Sequence, residues 1–149
     1  MSWFIIDFFT NRILISVVLS YFIAGLIKVF FNYLGKNRID FMMFFRTGGM
    51  PSSHSASVTA MTTCIYLLEG FSNLFVVSMI VSIIIISDAV GIRRAAGKQA
   101  QVLNTIVDEV TYFRRIRTKK LYELLGHTPK QVMAGILLGI LVANIFFRI

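Results

Sequence analysis

Four apolar runs, separated by short polar stretches, organise the chain. Ile13 to Leu34 is the first. At about 22 residues it matches the roughly 20 needed to cross a hydrocarbon core at 1.5 Å per residue. Its one charge, Lys28, falls two turns before the end, where an ionisable side chain either snorkels to the interface or serves a site. Gly35 to Met50 is a loop with Lys36, Arg38 and Arg46, and Pro51 to Glu69 is a second helix, polar at its start and broken by Gly70. Phe71 to about Gly91 forms the third, with a strongly apolar centre from Val76 to Ile86, and it runs out in Asp88, Arg93 and Arg94. Gly97 to Leu125 reads as an amphipathic helix or helix pair. Val102, Ile106, Val110 and Phe113 recur at helical spacing, and Arg114, Arg115, Arg117, Lys119 and Lys120 form a polar side at headgroup level. Lys130 to Phe147 is the fourth crossing, with Gly135 and Gly139 spaced for close helix packing. Met1 to Thr10 contains Asp7 and lacks the basic start and small-residue cleavage site of a signal peptide, so it is expected to be retained.

Composition narrows the class. The 149 residues are 56% hydrophobic with a mean hydropathy of +0.76, against roughly 45–50% apolar residues in soluble domains. The expectation is one integral-membrane, all-α bundle of about four transmembrane helices, occupying residues 1–149 as a single domain. A net charge of +8 in so apolar a chain points to anionic lipid or a phosphate-bearing substrate. Nucleic acid is not expected as a partner, because no basic–aromatic platform lies outside the apolar runs. Cys64, the single cysteine, sits in an apolar helix and reads as a small core residue. Four crossings place the first loop and the basic segment after the third helix on one side. Thirteen of the fifteen Lys and Arg residues lie at or near it. The positive-inside rule then makes that side cytoplasmic, in the cell membrane, with both termini outside.

The same topology gathers the chemistry. Gly48-Gly49-Met50-Pro51-Ser52-Ser53-His54-Ser55 is a flexible, hydroxyl-rich turn that opens into a helix. Pro51 suits a first helical turn, and the following N–H groups would point unpaired at an anion. His54 starts helix two, Asp88, Arg93 and Arg94 end helix three, and His127 precedes helix four, while Lys28 and Arg38 belong to helix one and its loop. His54 and His127 are the only histidines, and both fall at this face. Arg and Lys grip phosphate oxygens. One histidine can attack phosphorus while the other protonates the departing alkoxide, and helix N-terminal donors meet the developing charge. A metal held by His54, His127 and Asp88 is the alternative that the surrounding arginines disfavour, so no metal or other cofactor is expected.

Three ordered stretches carry a family resemblance: Gly-Gly-Met-Pro-Ser-Ser-His-Ser-Ala, Asp-Ala-Val-Gly-Ile-Arg-Arg-Ala-Ala-Gly-Lys-Gln-Ala and Leu-Gly-His-Thr-Pro. Over roughly Lys28 to Gly139 the chain resembles the divergent branch of the type 2 phosphatidic acid phosphatase and vanadium haloperoxidase superfamily. The resemblance implies His127 as phosphate nucleophile and His54 as general acid, with Asp88 a candidate to assist His127. It further implies Lys28, Arg38, Ser52, Ser53 and Arg94 or its neighbour Arg93 as phosphate ligands. Ser53 stands where the parent motif has glycine, Ile39 where it has proline, and Gln131 where it has the aspartate that orients the nucleophile. The implied activity is hydrolysis of a lipid phosphomonoester or diphosphate through a phosphohistidine. The alternative is a non-catalytic lipid-binding or transport protein of the same fold. The parent fold has six core helices, which allows a homodimer to complete the bundle here, with the small residues of the fourth helix contributing.

Overall fold

The computed structural model describes residues 2–36, 39–45, 48–114, 121 and 126–148. All regular structure among them is helical: α1 (Ser2–Phe9), α2 (Arg12–Lys36), a 3-10 turn (Phe41–Phe44), α3 (Ser53–Glu69), α4 (Asn73–Val90), α5 (Ile92–Arg114) and α6 (Pro129–Arg148). The protein is an all-α membrane bundle. Its helix starts follow from side-chain caps that replace missing intrahelical acceptors. Asn11 Oδ1 accepts from the Leu14 N–H, and the Ser52 and Ser72 hydroxyls accept from the N–H groups of Ser55 and Phe75. Only Gly91 separates α4 from α5, so α5 begins five residues earlier than the periodicity suggests.

Among the described residues, three stretches are long and apolar enough to cross a membrane: Arg12–Gly35, the stretch beginning at Asn73 that includes α4, and Pro129–Arg148. The expected fourth, α3, differs. Its 17 residues rise about 25 Å, at the short end of the spanning range, and it is rich in Ser, Thr and Ala. Those residues suit its position, because α3 is the central helix, packed against α2, α4 and α6.

The faces are sorted by size rather than by polarity. Ser16, Ser20, Ala24 and Lys28 of α2 are buried, whereas Phe22, Leu26, Phe30 and Leu34 are exposed. On α4, Ser78 and Ser82 point inward and Val77, Ile80 and Ile84 outward. Lipid tails are as apolar as leucine, so small residues that let backbones approach, and hydroxyls that bond across helices, take the interior. Between α3 and α4 the Thr62 and Ser82 hydroxyls lie 2.8 Å apart, and Ser82 also donates to the Val58 carbonyl. Between α3 and α6 the backbones nearly touch. A Cβ on Gly135 would stand 2.5 Å from the Ser52 carbonyl oxygen, and one on Gly139 would overlap that of Ala56. The G-x-x-x-G pair therefore packs the bundle itself and does not offer its small residues to a second copy, as a homodimer through them would need. Cys64 is buried beside the Ser16 hydroxyl, in the core role expected of it.

Candidate active site

One end of the bundle gathers the last third of α2, the loop before α3, the end of α4 and the start of α6. Gly48 and Gly49 have φ of +100° and +84°, a region that favours glycine. They lay the loop over α2, so that a Cβ on Gly49 would stand 3.6 Å from Lys28 Cγ. Lys28 is only 3% exposed. Of its two predicted fates, snorkelling does not describe it; its stem is covered by the loop.

The start of α3 differs from its expected form in two ways. Pro51 precedes the helix instead of opening it, and Ser52 is the N-cap. The Ser52 N–H is not an open donor either, for it donates to the Gln131 carbonyl oxygen at 2.9 Å. The Ser52 hydroxyl accepts from the Ser55 N–H at 3.3 Å and from the Ser55 hydroxyl at 3.0 Å. Ser52 thus ties α3 to α6 and caps it. Ser53 beside it is 2% exposed, and its hydroxyl has no hydrogen-bond partner among the described residues. A buried hydroxyl left so is costly.

His127 is held from both sides. Its N–H donates to the Ala89 carbonyl at the end of α4, 2.9 Å away. The next residue opens α6 with a capping box. Thr128 Oγ1 accepts from the Gln131 N–H at 3.4 Å, and Gln131 Oε1 accepts from the Thr128 N–H at 3.0 Å. Pro129 fills the first helical position, where it needs no N–H partner. The box selects a tautomer. A backbone N–H can only donate, so the Gln131 atom facing it is the carbonyl oxygen, and that oxygen also lies 3.3 Å from His127 Nδ1. Neutral His127 therefore carries its proton on Nδ1 and its lone pair on Nε2.

Across from this buried ring stands His54, exposed in the first turn of α3, with ring centroids 6.4 Å apart and planes inclined at 56°. Asp88 is half-buried in the last turn of α4, next to the Ala89 that anchors His127. Lys28, Ser52, Ser53, His54, Asp88 and His127 thus share one end of the bundle. Arg94 is exposed in the first turn of α5, where it lines a shallow depression of about 270 Å³ with Lys98. Arg38 and the side chain of Arg93 lie outside the described residues. No three His, Cys, Asp or Glu side chains cluster as metal ligands among the described residues.

Residues 9–142 match the Divergent PAP2 family. The chain belongs to that family. It is also similar to a Bacillus subtilis (strain 168) protein described as uncharacterized membrane protein YuiD, at 41% identity over 147 residues, covering 91% of this chain and 93% of that one. No solved structure matches. Within this divergent PAP2 chain, two site features escape the motif reading. Thr128-Pro129-Lys130-Gln131 has the Thr-x-x-Gln spacing of a capping box, a signal open to sequence inspection. Ser55 is the second: three residues after the Ser52 cap, its N–H and its hydroxyl both donate to the Ser52 hydroxyl.

Proposed function

We propose that this protein is a membrane lipid phosphatase that hydrolyses a lipid phosphomonoester or diphosphate through a phosphohistidine on His127. The observation that carries the reading is the pair of histidines facing each other at 6.4 Å, with Gln131 Oε1 3.3 Å from His127 Nδ1. Nε2 attacks phosphorus, the bond from phosphorus to the lipid oxygen breaks, and His54 gives its proton to the departing oxygen. His54 then takes a proton from water as that water attacks the phosphohistidine, which releases phosphate and restores both rings. Lys28, Arg38, Arg93 and Arg94 hold the phosphate oxygens. Ser53 adds a hydroxyl and the start of α3 its dipole, while Asp88 assists from the end of α4. The basic side of the bundle faces the cytoplasm, at the cell membrane. Two copies associate, through a surface other than the glycines of α6.

One observation favours a second reading, a protein that binds phospholipid without turning it over. Gln131 is neutral, and it cannot stabilise the imidazolium formed during the reaction as a carboxylate would. Phosphate release by purified protein in lipid vesicles separates the two. The phosphatase reading expects turnover in the wild type and none in His127→Ala. Wild-type protein that binds the lipid phosphate but releases nothing selects the second reading, and equal turnover in both proteins removes the proposed nucleophile.

A further inference from the structure

A groove runs down the lipid-facing side of the bundle between α2 and α6, directly beneath the loop that leads into α3. Ile27 and Phe31 form one wall, Ala134, Leu137 and Leu141 the other, and Pro51 closes the top; its volume is about 290 Å³. Every side chain named is apolar. From Ala134 to Leu141 the groove descends about 10 Å along α6, into a hydrocarbon layer about 30 Å thick. Its upper end is built from neighbours of the candidate site. Pro51 adjoins Ser52, Ile27 adjoins the buried Lys28, and Ala134 lies one turn from Gln131.

We propose that this groove seats the hydrocarbon chain of the phosphorylated lipid, an inference that rests on the phosphatase reading above. Two features single it out from the rest of the lipid-facing surface. Its top is formed by Met50 and Pro51 of the loop that leads into Ser52, and the same loop covers the buried Lys28 stem at Gly49, an arrangement that matches a molecule with an anionic head and an apolar tail. The outer face of α4, with Ile80, Ile83 and Ile84 exposed, is equally apolar but has neither feature. A chain in the groove leaves one apolar environment for another, so little hydrophobic energy is gained. What the groove supplies is orientation, holding the phosphate in line with His127. The protein is therefore selective for substrates with a long chain over short or soluble phosphates.

The test uses the full chain in vesicles, with a long-chain lipid phosphate and a soluble aryl phosphate as paired substrates. Leu137→Trp and Leu141→Trp fill the groove, and Ile83→Trp adds the same bulk to α4. The groove variants should lose roughly tenfold or more in kcat/KM on the long-chain substrate and keep their rate on the soluble one, with Ile83→Trp unchanged on both. Equal effects of all three variants, or equal losses on both substrates, overturn the proposal. A photoactivatable long-chain lipid phosphate gives a reading that does not need turnover. Adducts should concentrate on Ile27, Leu137 and Leu141, and adducts spread evenly onto α4 overturn the groove. Adducts in the groove without phosphate release by any protein would reject the phosphatase reading and retain the lipid seat.

Discussion

The two ends of the bundle begin their helices with the same device and surround it with opposite chemistry. Ser52 caps α3 and Ser72 caps α4, each accepting from the N–H three residues on, at 3.3 and 3.1 Å. Each follows a glycine with positive φ, Gly49 in one case and Gly70 in the other. Around Ser72 the neighbours are Tyr66, Phe71 and Phe75, with centroids 5.1 to 5.4 Å apart and Phe71 82% exposed. Aromatic clusters of this kind suit a membrane interface. A Cβ on Gly70 would meet nothing within 4 Å. Around Ser52 the neighbours are buried serines, two histidines and a buried lysine under Gly49. A serine cap after a glycine turn is thus ordinary helix chemistry. What distinguishes the Ser52 end is that polar groups are buried there beside cations and two facing rings.

After loss of the nucleophile His127, that contrast is broken most severely through His54. The His54→Ala variant should lose about 10²–10⁴-fold in turnover, the usual contribution of a general acid, and recover part of it on substrates with better leaving groups. No recovery would assign His54 to binding. The cationic residues come next. Lys28→Met and Arg94→Ala should each cost about 1.5–3 kcal/mol, or roughly 10–150-fold in kcat/KM, by removing a charge-assisted contact. Lys28→Met keeps the length of the stem, so unchanged kinetics would make Lys28 a packing residue. Smallest is the matched pair of caps. Ser52→Ala and Ser72→Ala should each lower stability by about 0.5–2 kcal/mol in denaturant unfolding, and only Ser52→Ala should also reduce kcat/KM. Equal kinetic effects would mean that the two ends do not differ in function.

The spans were legible because length and hydropathy determine them. Arg12–Lys36 and Pro129–Arg148 fall within a few residues of the apolar runs. The depth of α3 was not, since hydropathy does not say which helix others surround. The small residues Ala56, Ala60 and Cys64 turn out to be buried at its crossings. The convergence of His54, His127 and Lys28 on one end followed from helix order alone. Their contacts did not, because which atom holds His127 depends on the capping box and on the Ala89 carbonyl. Arg94 illustrates the limit. Its position after an apolar helix suggested a phosphate ligand, and it stands exposed on the first turn of α5 beside Lys98.

The central claim is that Gln131 keeps the proton of His127 on Nδ1 and leaves Nε2 to attack phosphorus. Quenching the wild type in alkali during turnover of a lipid phosphate, followed by mass spectrometry and NMR of the labelled peptide, tests it directly. The account predicts phosphohistidine on His127 at Nε2, absent from His127→Ala and unchanged in position in His54→Ala. Phosphorylation at Nδ1, or on His54, would contradict it.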